Sequence, residues 1–419
     1  MLRLVLCVLN RQANDDHMEV IYLLNGGHSG FSPFACDECF QPLLYHRLVS
    51  GLISILHLSP GTPSIILAQL INFFSAFGFL WYARKLIKTL PFSPQIQLLC
   101  FSLLALNPKL IGIQSMATND ALVIFFSSAS FCHLYFLSAQ KNMRHALAAA
   151  GFAVLAAITK GNGLVMVVLV PLVFVLLHSV ISLRNAMRIT LASWLLVFAL
   201  GPYSTHFIRN GHPFLIDKEL APSAQFFSLS EHRRPGVRSI AEAFFTFRPF
   251  SLLAQPFNTN GIEISAAHRT SYFSQLHGAM WSIHFERHPA IWVNEGVVAI
   301  GLGRVLLFLG FIPLVFLARG MLNTMRNRAR PTVLISLCGV AAYLAFGIYY
   351  SMLYRDFACM KVIFIFPAIL CFFHLFAIGL AHRQNQPPKA TQLLIWALII
   401  SGIGEVLWLE RSLWLYLYS

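Results

Sequence analysis

Repeated apolar stretches constrain the fold of this chain more than any other feature of its sequence. Each is long enough, or nearly so, to cross about 30 Å of hydrocarbon as a helix. Of the 419 residues, 57% are hydrophobic and 11% are charged, where a soluble domain carries about 25% charged residues. The sequence therefore predicts an all-α integral membrane protein with about ten or eleven transmembrane helices. The stretches lie near 64–83, 95–113, 120–139, 146–160, 163–183, 189–208, 296–318, 331–354, 361–381 and 390–409.

The N-terminal stretch 1–10 is also apolar but too short to cross a membrane alone. We interpret it as the tail of a first membrane helix whose beginning is missing. A cleaved signal peptide is the alternative, although no small-residue cleavage site follows it. We expect residues 1–419 to form a single polytopic membrane domain, with a first outer loop at 11–63 and a large outer loop at 209–295.

Charge predicts how the helices are oriented. The net charge of +14 would suggest nucleic acid as a partner in a soluble protein, but here the basic residues gather in short loops between apolar stretches. These loops should face the cytoplasm, and the partner is the lipid bilayer rather than nucleic acid. The acidic residues then lie outside or toward outer helix ends. We expect a multi-pass protein of a bacterial inner (plasma) membrane, with a eukaryotic ER membrane as the alternative. The basic loops are 84–94, 140–145, 184–188, 319–330 and 382–389.

The segment from Gln41 to Leu58 is apolar enough to suggest another crossing, yet it contains His46 and Arg47. A crossing here would place the later basic loops outside. We therefore predict an amphipathic helix lying in the outer interface. The large outer loop at 209–295 holds several prolines, so long helices are not expected in it.

Two acidic groups are candidates for acid–base chemistry at the outer surface. Asn14-Asp15-Asp16-His17 follows the first helix, and Asp120 stands at the outer end of a predicted span. Carboxylates held there can deprotonate or orient a hydroxyl or an amine. The alternative for both groups is helix capping, since Asn and Asp favour N-cap positions.

Several cations lie at the same predicted level of the membrane. Such side chains can bind a phosphate group at the membrane surface and neutralise its charge. For each one the alternative is interfacial snorkelling, which is common for Lys and Arg at span ends. We predict that at least one of them is a phosphate ligand. They are Lys160, Arg209, Arg355 and Lys361.

Cysteine and histidine do not point to a metal site. Cys36 and Cys39 form a CxxC motif without a second pair, so a short-loop disulfide is favoured over zinc. His133, His178 and His374 lie within apolar stretches, where we expect packing or hydrogen bonding. No cofactor is expected to be required, although two carboxylates could hold a divalent cation.

The order of these motifs resembles the GT-C glycosyltransferases of the protein O-mannosyltransferase and aminoarabinose transferase type. An acidic pair is followed by Gln-Pro-Leu-Leu-Tyr (Gln41 to Tyr45), Asn-Pro with a later Asn-Asp, Thr-Lys-Gly at a helix mouth, and Arg-Asn-Gly-His-Pro-Phe. The resemblance covers roughly 14–216, and more weakly Ser271 to Trp281 and 354–367. It implies a lipid-linked sugar transferase. Where aminoarabinose transferases have Lys before the Pro, this chain has Gln41.

The resemblance also implies roles for residues. Asp15, with Asp16 beside it, matches the presumed catalytic base, and Asp120 matches the second acidic residue. Gln41 and Tyr45 belong to the donor-binding segment. The implied reaction is a single inverting displacement from a polyprenyl-phosphate sugar to a lipid, glycan or protein acceptor. The alternatives are a secondary transporter, which would place ionisable groups near mid-bilayer, and an inactive GT-C-like scaffold.

Overall fold

The computed structural model describes residues 2–9, 16–27, 36, 38–210, 244, 246–247, 271–282, 297–326, 330–354, 361–381 and 387–409. Within that part all regular structure is helical, in agreement with the predicted all-α class. The helices are α1 Leu2–Leu9, α2 His17–Asn25, α3 Leu44–Ile55, α4 Thr62–Thr89, α5 Pro94–Ala105, α6 Pro108–Ser115, α7 Asp120–Gln140, α8 Met143–Thr159, α9 Leu164–Leu176, α10 Leu183–Leu200, α11 Tyr203–Asn210, α12 Tyr272–Trp281, α13 Val297–Leu309, α14 Phe311–Arg326, α15 Pro331–Tyr354, α16 Ile369–Leu380 and α17 Lys389–Leu409.

The predicted apolar stretches correspond to helices that can lie across a membrane. In the described residues, six helices are long and apolar enough to cross, and the bent pair α5–α6 makes up to seven. Three shorter apolar helices account for the remaining stretches: Met143–Thr159, Gly161–Leu176 and Phe366–Leu380. The chain is therefore a multi-pass helical membrane protein.

The predicted stretch 95–113 is not one straight helix. Helix α5 ends at Ala105, and α6 begins after Asn107 with its axis turned by 46°. The cause is local: Asn107 Oδ1 accepts a hydrogen bond from the amide of Leu110 at 2.9 Å, and Pro108 occupies the first turn. An N-cap followed by proline begins a new helix rather than continuing the old one.

The predicted stretch 361–381 likewise begins without an α-helix. Two short 3₁₀ turns, Val362–Phe364 and Phe366–Ala368, precede α16. Pro367 lies in the second turn, where its missing amide hydrogen would interrupt an α-helix. The first predicted stretch, 1–10, forms the short helix α1, which packs against α4 and α6.

Helix α7 is the centre of the bundle. In its apolar window 78% of residues are buried inside the protein, compared with 17% for α10, which therefore faces the surroundings. Alanines along α8 let α7 approach closely, and Ser130 Oγ donates to the carbonyl of Ala149 at 2.7 Å. Small residues at helix contacts are typical of membrane bundles because they permit close van der Waals packing.

The α14–α16 crossing depends on two glycines. A Cβ placed on Gly320 would lie 1.9 Å from the carbonyl oxygen of Leu375, and one on Gly379 would lie 1.8 Å from that of Phe316. Neither distance can be accommodated without moving backbone. Substitution at either position would therefore force the two helices apart.

Helix α3 confirms the prediction of an amphipathic helix within 41–58. One face, formed by Tyr45, His46, Val49 and Ile53, is buried against the rest of the protein, whereas Arg47 is exposed. The helix packs against α2, α4 and α8. It thereby brings His46 to the end of α7 at which Asp120 lies.

Candidate functional site

A buried ion pair occupies the N-terminal end of α7. Lys160 Nζ lies 2.7 Å from Asp120 Oδ1, and the two side chains are 6% and 2% exposed. Asp120 is in the first turn of α7, where the helix dipole favours a negative charge. Lys160 directly follows α8, and its ammonium lies 5.9 Å from the ring centroid of Phe364. Two charges this well buried are held only with a partner, so each fixes the other.

Thr118 binds the second carboxylate oxygen. Its hydroxyl donates to Asp120 Oδ2 at 2.9 Å, and its oxygen accepts the backbone amide of Asp120 at 3.3 Å. Asp120 therefore accepts one hydrogen bond at each oxygen, from Lys160 and from Thr118. The helix start and the ion pair are stabilised by the same short segment.

Two histidines extend this network toward the interfacial helix. His17 Nε2 lies 3.2 Å from Thr118 Oγ1, and His17 Nδ1 lies 2.9 Å from His46 Nε2. Both rings are fully buried, and Glu38 Oε2 lies 3.9 Å from His17 Nδ1. Burial, with smaller contributions from His17 and Lys160, holds the pKa of His46 well below its usual value.

Polar side chains of α4 hold the segment that carries Thr118. Asn72 Nδ2 donates to the carbonyls of Met116 at 2.5 Å and Thr118 at 2.7 Å, and Gln69 Nε2 donates to that of Ser115 at 2.7 Å. Gln69 and Asn72 are completely buried. These residues were missed in the sequence because they lie inside an apolar stretch. Positions i and i+3 lie on the same face of a helix, so Gln69 and Asn72 both face the segment 115–118.

A cavity of about 340 Å³ adjoins the ion pair, and Lys160 forms part of its wall. This volume is within the range of small-molecule sites, about 300–1,000 Å³. Most of the wall is apolar or aromatic, which suits a lipid more than a free sugar. Its aromatic and polar lining comprises Phe40, Gln41, Lys160, Asn162, Trp194, Tyr203, His206, Phe346, Tyr349, Tyr350 and Phe364.

Two amides are placed beside Lys160 in this wall. Gln41 Oε1 accepts the backbone amide of Gly161 at 3.4 Å, so the predicted donor-binding residue does line the cavity. Asn162 Nδ2 donates to the carbonyl of Phe364 at 3.5 Å, while its Oδ1 has no hydrogen-bond partner among the described residues. The sequence motif Thr-Lys-Gly pointed to Lys160 but not to Asn162, two positions later.

The remaining predicted site residues are Asp15, Asp16, Tyr45, Arg209, Arg355 and Lys361. Asp16 precedes α2, beside His17, and therefore shares one end of the bundle with Asp120. Lys361 precedes the first 3₁₀ turn and is partly buried. Tyr45 is buried, and its hydroxyl donates to the carbonyl of Ala68 at 3.2 Å rather than lining the cavity. Asp15, Arg355 and the side chain of Arg209 lie outside the described part.

The other sequence interpretations concern structure rather than chemistry. Cys36 and Cys39 form the predicted disulfide. His133 hydrogen-bonds Tyr82 at 3.2 Å, as expected for a histidine inside an apolar stretch. In the part of the chain that is described, no group of three or more His, Cys, Asp or Glu side chains is arranged to hold a metal ion.

Comparison with known proteins gives distant structural likenesses only. No protein-family model and no curated protein sequence matches the chain. Among solved structures, ArnT from Cupriavidus metallidurans in the apo state has a TM-score of 0.47 and 15% identity over 90% of this chain. The same protein bound to undecaprenyl phosphate has a TM-score of 0.38 and 12% identity over 95% of this chain.

These two structures are of the transferase type that the sequence motifs resemble. The chain spans 57% of the length of the first and 76% of the second. At such scores the likeness does not carry an argument about activity. The function is therefore argued from the geometry of the site itself.

Proposed function

We propose that the protein is a membrane glycosyltransferase that moves a sugar from a polyprenyl-phosphate donor to an acceptor on the non-cytoplasmic side. The observation that carries this proposal is Lys160, a cation held by Asp120 in the wall of a largely apolar cavity. A lipid phosphate combines an anion with a hydrocarbon chain. The cavity offers a partner for each.

Lys160 is positioned to stabilise the leaving phosphate. As the bond between the anomeric carbon and the phosphate oxygen breaks, the electron pair and its negative charge pass to the phosphate. An ammonium already held in a poorly solvated site stabilises that charge without reorganising. Arg355 and Lys361 are proposed as further phosphate ligands, and Arg209 as a substrate contact.

Asp15 is proposed as the base, with Asp16 supporting it. The acceptor's nucleophilic atom attacks the anomeric carbon from the side opposite the phosphate, which inverts the configuration, and its proton passes to the Asp15 carboxylate. Asp120 is less suited to this step because Lys160 and Thr118 already donate to its two oxygens. Its proposed role is to hold Lys160. The displacement needs no redox cofactor.

Asn162 adds a neutral contact for the sugar. Asn162 lines the cavity and its buried Oδ1 lacks a hydrogen-bond partner among the described residues, so a hydroxyl or amine of a sugar that reaches this oxygen can donate to it. Burying such an oxygen without a donor costs about 1–3 kcal/mol, which favours a ligand that supplies one. Gln41 offers its amide from the same wall.

Transfer from a labelled polyprenyl-phosphate sugar by the purified protein in lipid tests the proposal. Wild-type protein should release polyprenyl phosphate and label an acceptor, and Asp15→Asn should lower the rate by about 10²–10⁴. Glu19→Gln, which removes an exposed carboxylate from α2, is the matched control and should leave the rate unchanged.

The outcomes separate the proposal from its alternatives. Full activity of Asp15→Asn would exclude Asp15 as the base. Accumulation of the sugar lipid or another solute inside vesicles, without bond cleavage, would indicate a transporter. Binding of the donor without transfer to any acceptor would indicate an inactive scaffold.

A further inference from the structure

His17 lies at the centre of the buried polar network but has no assigned role. It hydrogen-bonds Thr118 on one side and His46 on the other, at 3.2 and 2.9 Å. Thr118 in turn contacts Asp120, and Asp120 contacts Lys160. These residues come from α2, α3, the segment before α7, the first turn of α7 and the position directly after α8, so the network joins elements that are distant in sequence.

The chemistry of Thr118 determines the direction of these hydrogen bonds. A hydroxyl has one hydrogen, and Thr118 gives it to Asp120 Oδ2. The Thr118 oxygen can therefore only accept from His17, so His17 Nε2 carries a hydrogen. This holds whether or not Nδ1 is also protonated. His17 thus occupies one lone pair of the hydroxyl oxygen and leaves its hydrogen directed toward Asp120.

We propose that His17 is a positioning residue for the lipid-phosphate site: it aims the Thr118 hydroxyl at Asp120 and so keeps Lys160 at the cavity wall. With Oδ2 bound to Thr118, only Oδ1 holds the ammonium. Without that hydroxyl, both oxygens compete for Lys160 and draw it away from a bound phosphate. The identity of the ligand rests on the proposed function, whereas the hydrogen-bond network does not depend on it.

The loss of one hydrogen bond to a charged group predicts a measurable change in ligand affinity. Loss of such a bond corresponds to about a tenfold change in an equilibrium constant. We expect His17→Phe, which keeps an aromatic ring but removes the Nε2 donor, to weaken binding of a polyprenyl monophosphate about tenfold.

Two amide substitutions distinguish the effect of losing the Nε2 hydrogen-bond donor from the effect of losing the aromatic ring. The side-chain nitrogen of Gln reaches the position of Nε2, whereas that of Asn reaches only the position of Nδ1. We therefore expect His17→Gln to restore most of the affinity and His17→Asn to bind as weakly as His17→Phe. A role confined to packing would not follow this order. His57→Phe, at an exposed histidine after α3, is the control.

Thr118 provides a second test that does not alter His17. Thr118→Val removes the hydroxyl with little change of shape and should also weaken binding about tenfold, whereas Thr118→Ser should not. If both residues act along one path, the effects of His17→Phe and Thr118→Val will not add in the double variant. Thermal unfolding of each full-length variant in detergent checks that it is folded.

The binding measurement uses a polyprenyl monophosphate without sugar, so it does not require transfer. If the His17 and Thr118 variants bind it as wild type does while Lys160→Met binds poorly, the positioning role is wrong and the phosphate site stands. If Lys160→Met binds it as wild type does, or wild type does not bind it, the proposed function fails and the inference fails with it.

Discussion

Helix α7 has a buried polar network toward each end, and the two networks differ in charge. At the N-terminal end, Asp120 pairs with Lys160 beside a cavity of about 340 Å³. Toward the C-terminal end, Tyr135 contacts Ser336 and His374, and His374 borders a cavity of only about 10 Å³. Both networks are buried, but only one has room for a ligand beside it.

The difference separates a structural network from a candidate functional one. The Tyr135 network consists of uncharged groups that satisfy one another between α7, α15 and α16, which is how polar side chains help helices associate in a membrane. A buried ion pair is weak support for stability, because desolvation offsets the attraction between the charges. Its retention beside an open cavity therefore favours a role in binding.

The largest expected effect is on Lys160. Lys160→Met leaves Asp120 buried without its counter-charge, which should lower the free energy of unfolding by about 3–5 kcal/mol and abolish donor binding. The double variant Lys160→Met/Asp120→Leu should recover stability but not transfer. Thermal unfolding and the transfer assay measure the two properties. A double variant that recovers transfer would contradict the role of the pair.

The Tyr135 network should show the opposite pattern. Ser336→Ala leaves Tyr135 and His374 without a shared partner and should lower stability by about 1–3 kcal/mol. Because this network lies away from the cavity, transfer per folded molecule should be unchanged. Normalising the rate to the folded fraction tests this. A selective loss of rate would mean that the two ends of α7 are coupled.

Acidification should destabilise the protein through His46, at the Asp120 end of α7. Since burial holds the pKa of His46 well below its ordinary value, the unfolded chain binds a proton at pH values where the folded protein does not. Stability is therefore complete above about pH 6.5 and falls below it, by up to about 1.4 kcal/mol per pH unit. Unfolding temperatures at several pH values measure the slope. His46→Gln should reduce it, whereas His57→Gln should not.

The smallest expected effect is on Tyr45. Tyr45→Phe removes a hydroxyl that donates to the carbonyl of Ala68 and also interacts with the Asn72 side chain and the Thr118 backbone, and should lower stability by about 0.5–1.5 kcal/mol. Donor affinity should not change, because the ring packs inside the protein and outside the cavity lining. A clear loss of affinity in a lipid-binding assay would instead support Tyr45 as a donor contact.

Much of the architecture could be predicted because it depends on local sequence. The apolar stretches located the spans, since length and hydrophobicity alone decide whether a helix can cross a bilayer. The bend between α5 and α6 was missed, although Asn107-Pro108 is a recognisable helix start. The bend was missed because Asn107-Pro108 lies within the apolar stretch 95–113, which was interpreted as one span.

The sequence by itself determined which segments enter the membrane and that Asp120 and Lys160 are candidates at helix ends. Only the tertiary structure decided that these residues, 40 positions apart, form a pair, and that His17, Thr118 and His46 join them. Hydrophobicity is a property of each segment and can be counted along the chain. A buried hydrogen bond depends on how helices pack and rotate against one another, and no single segment carries that information.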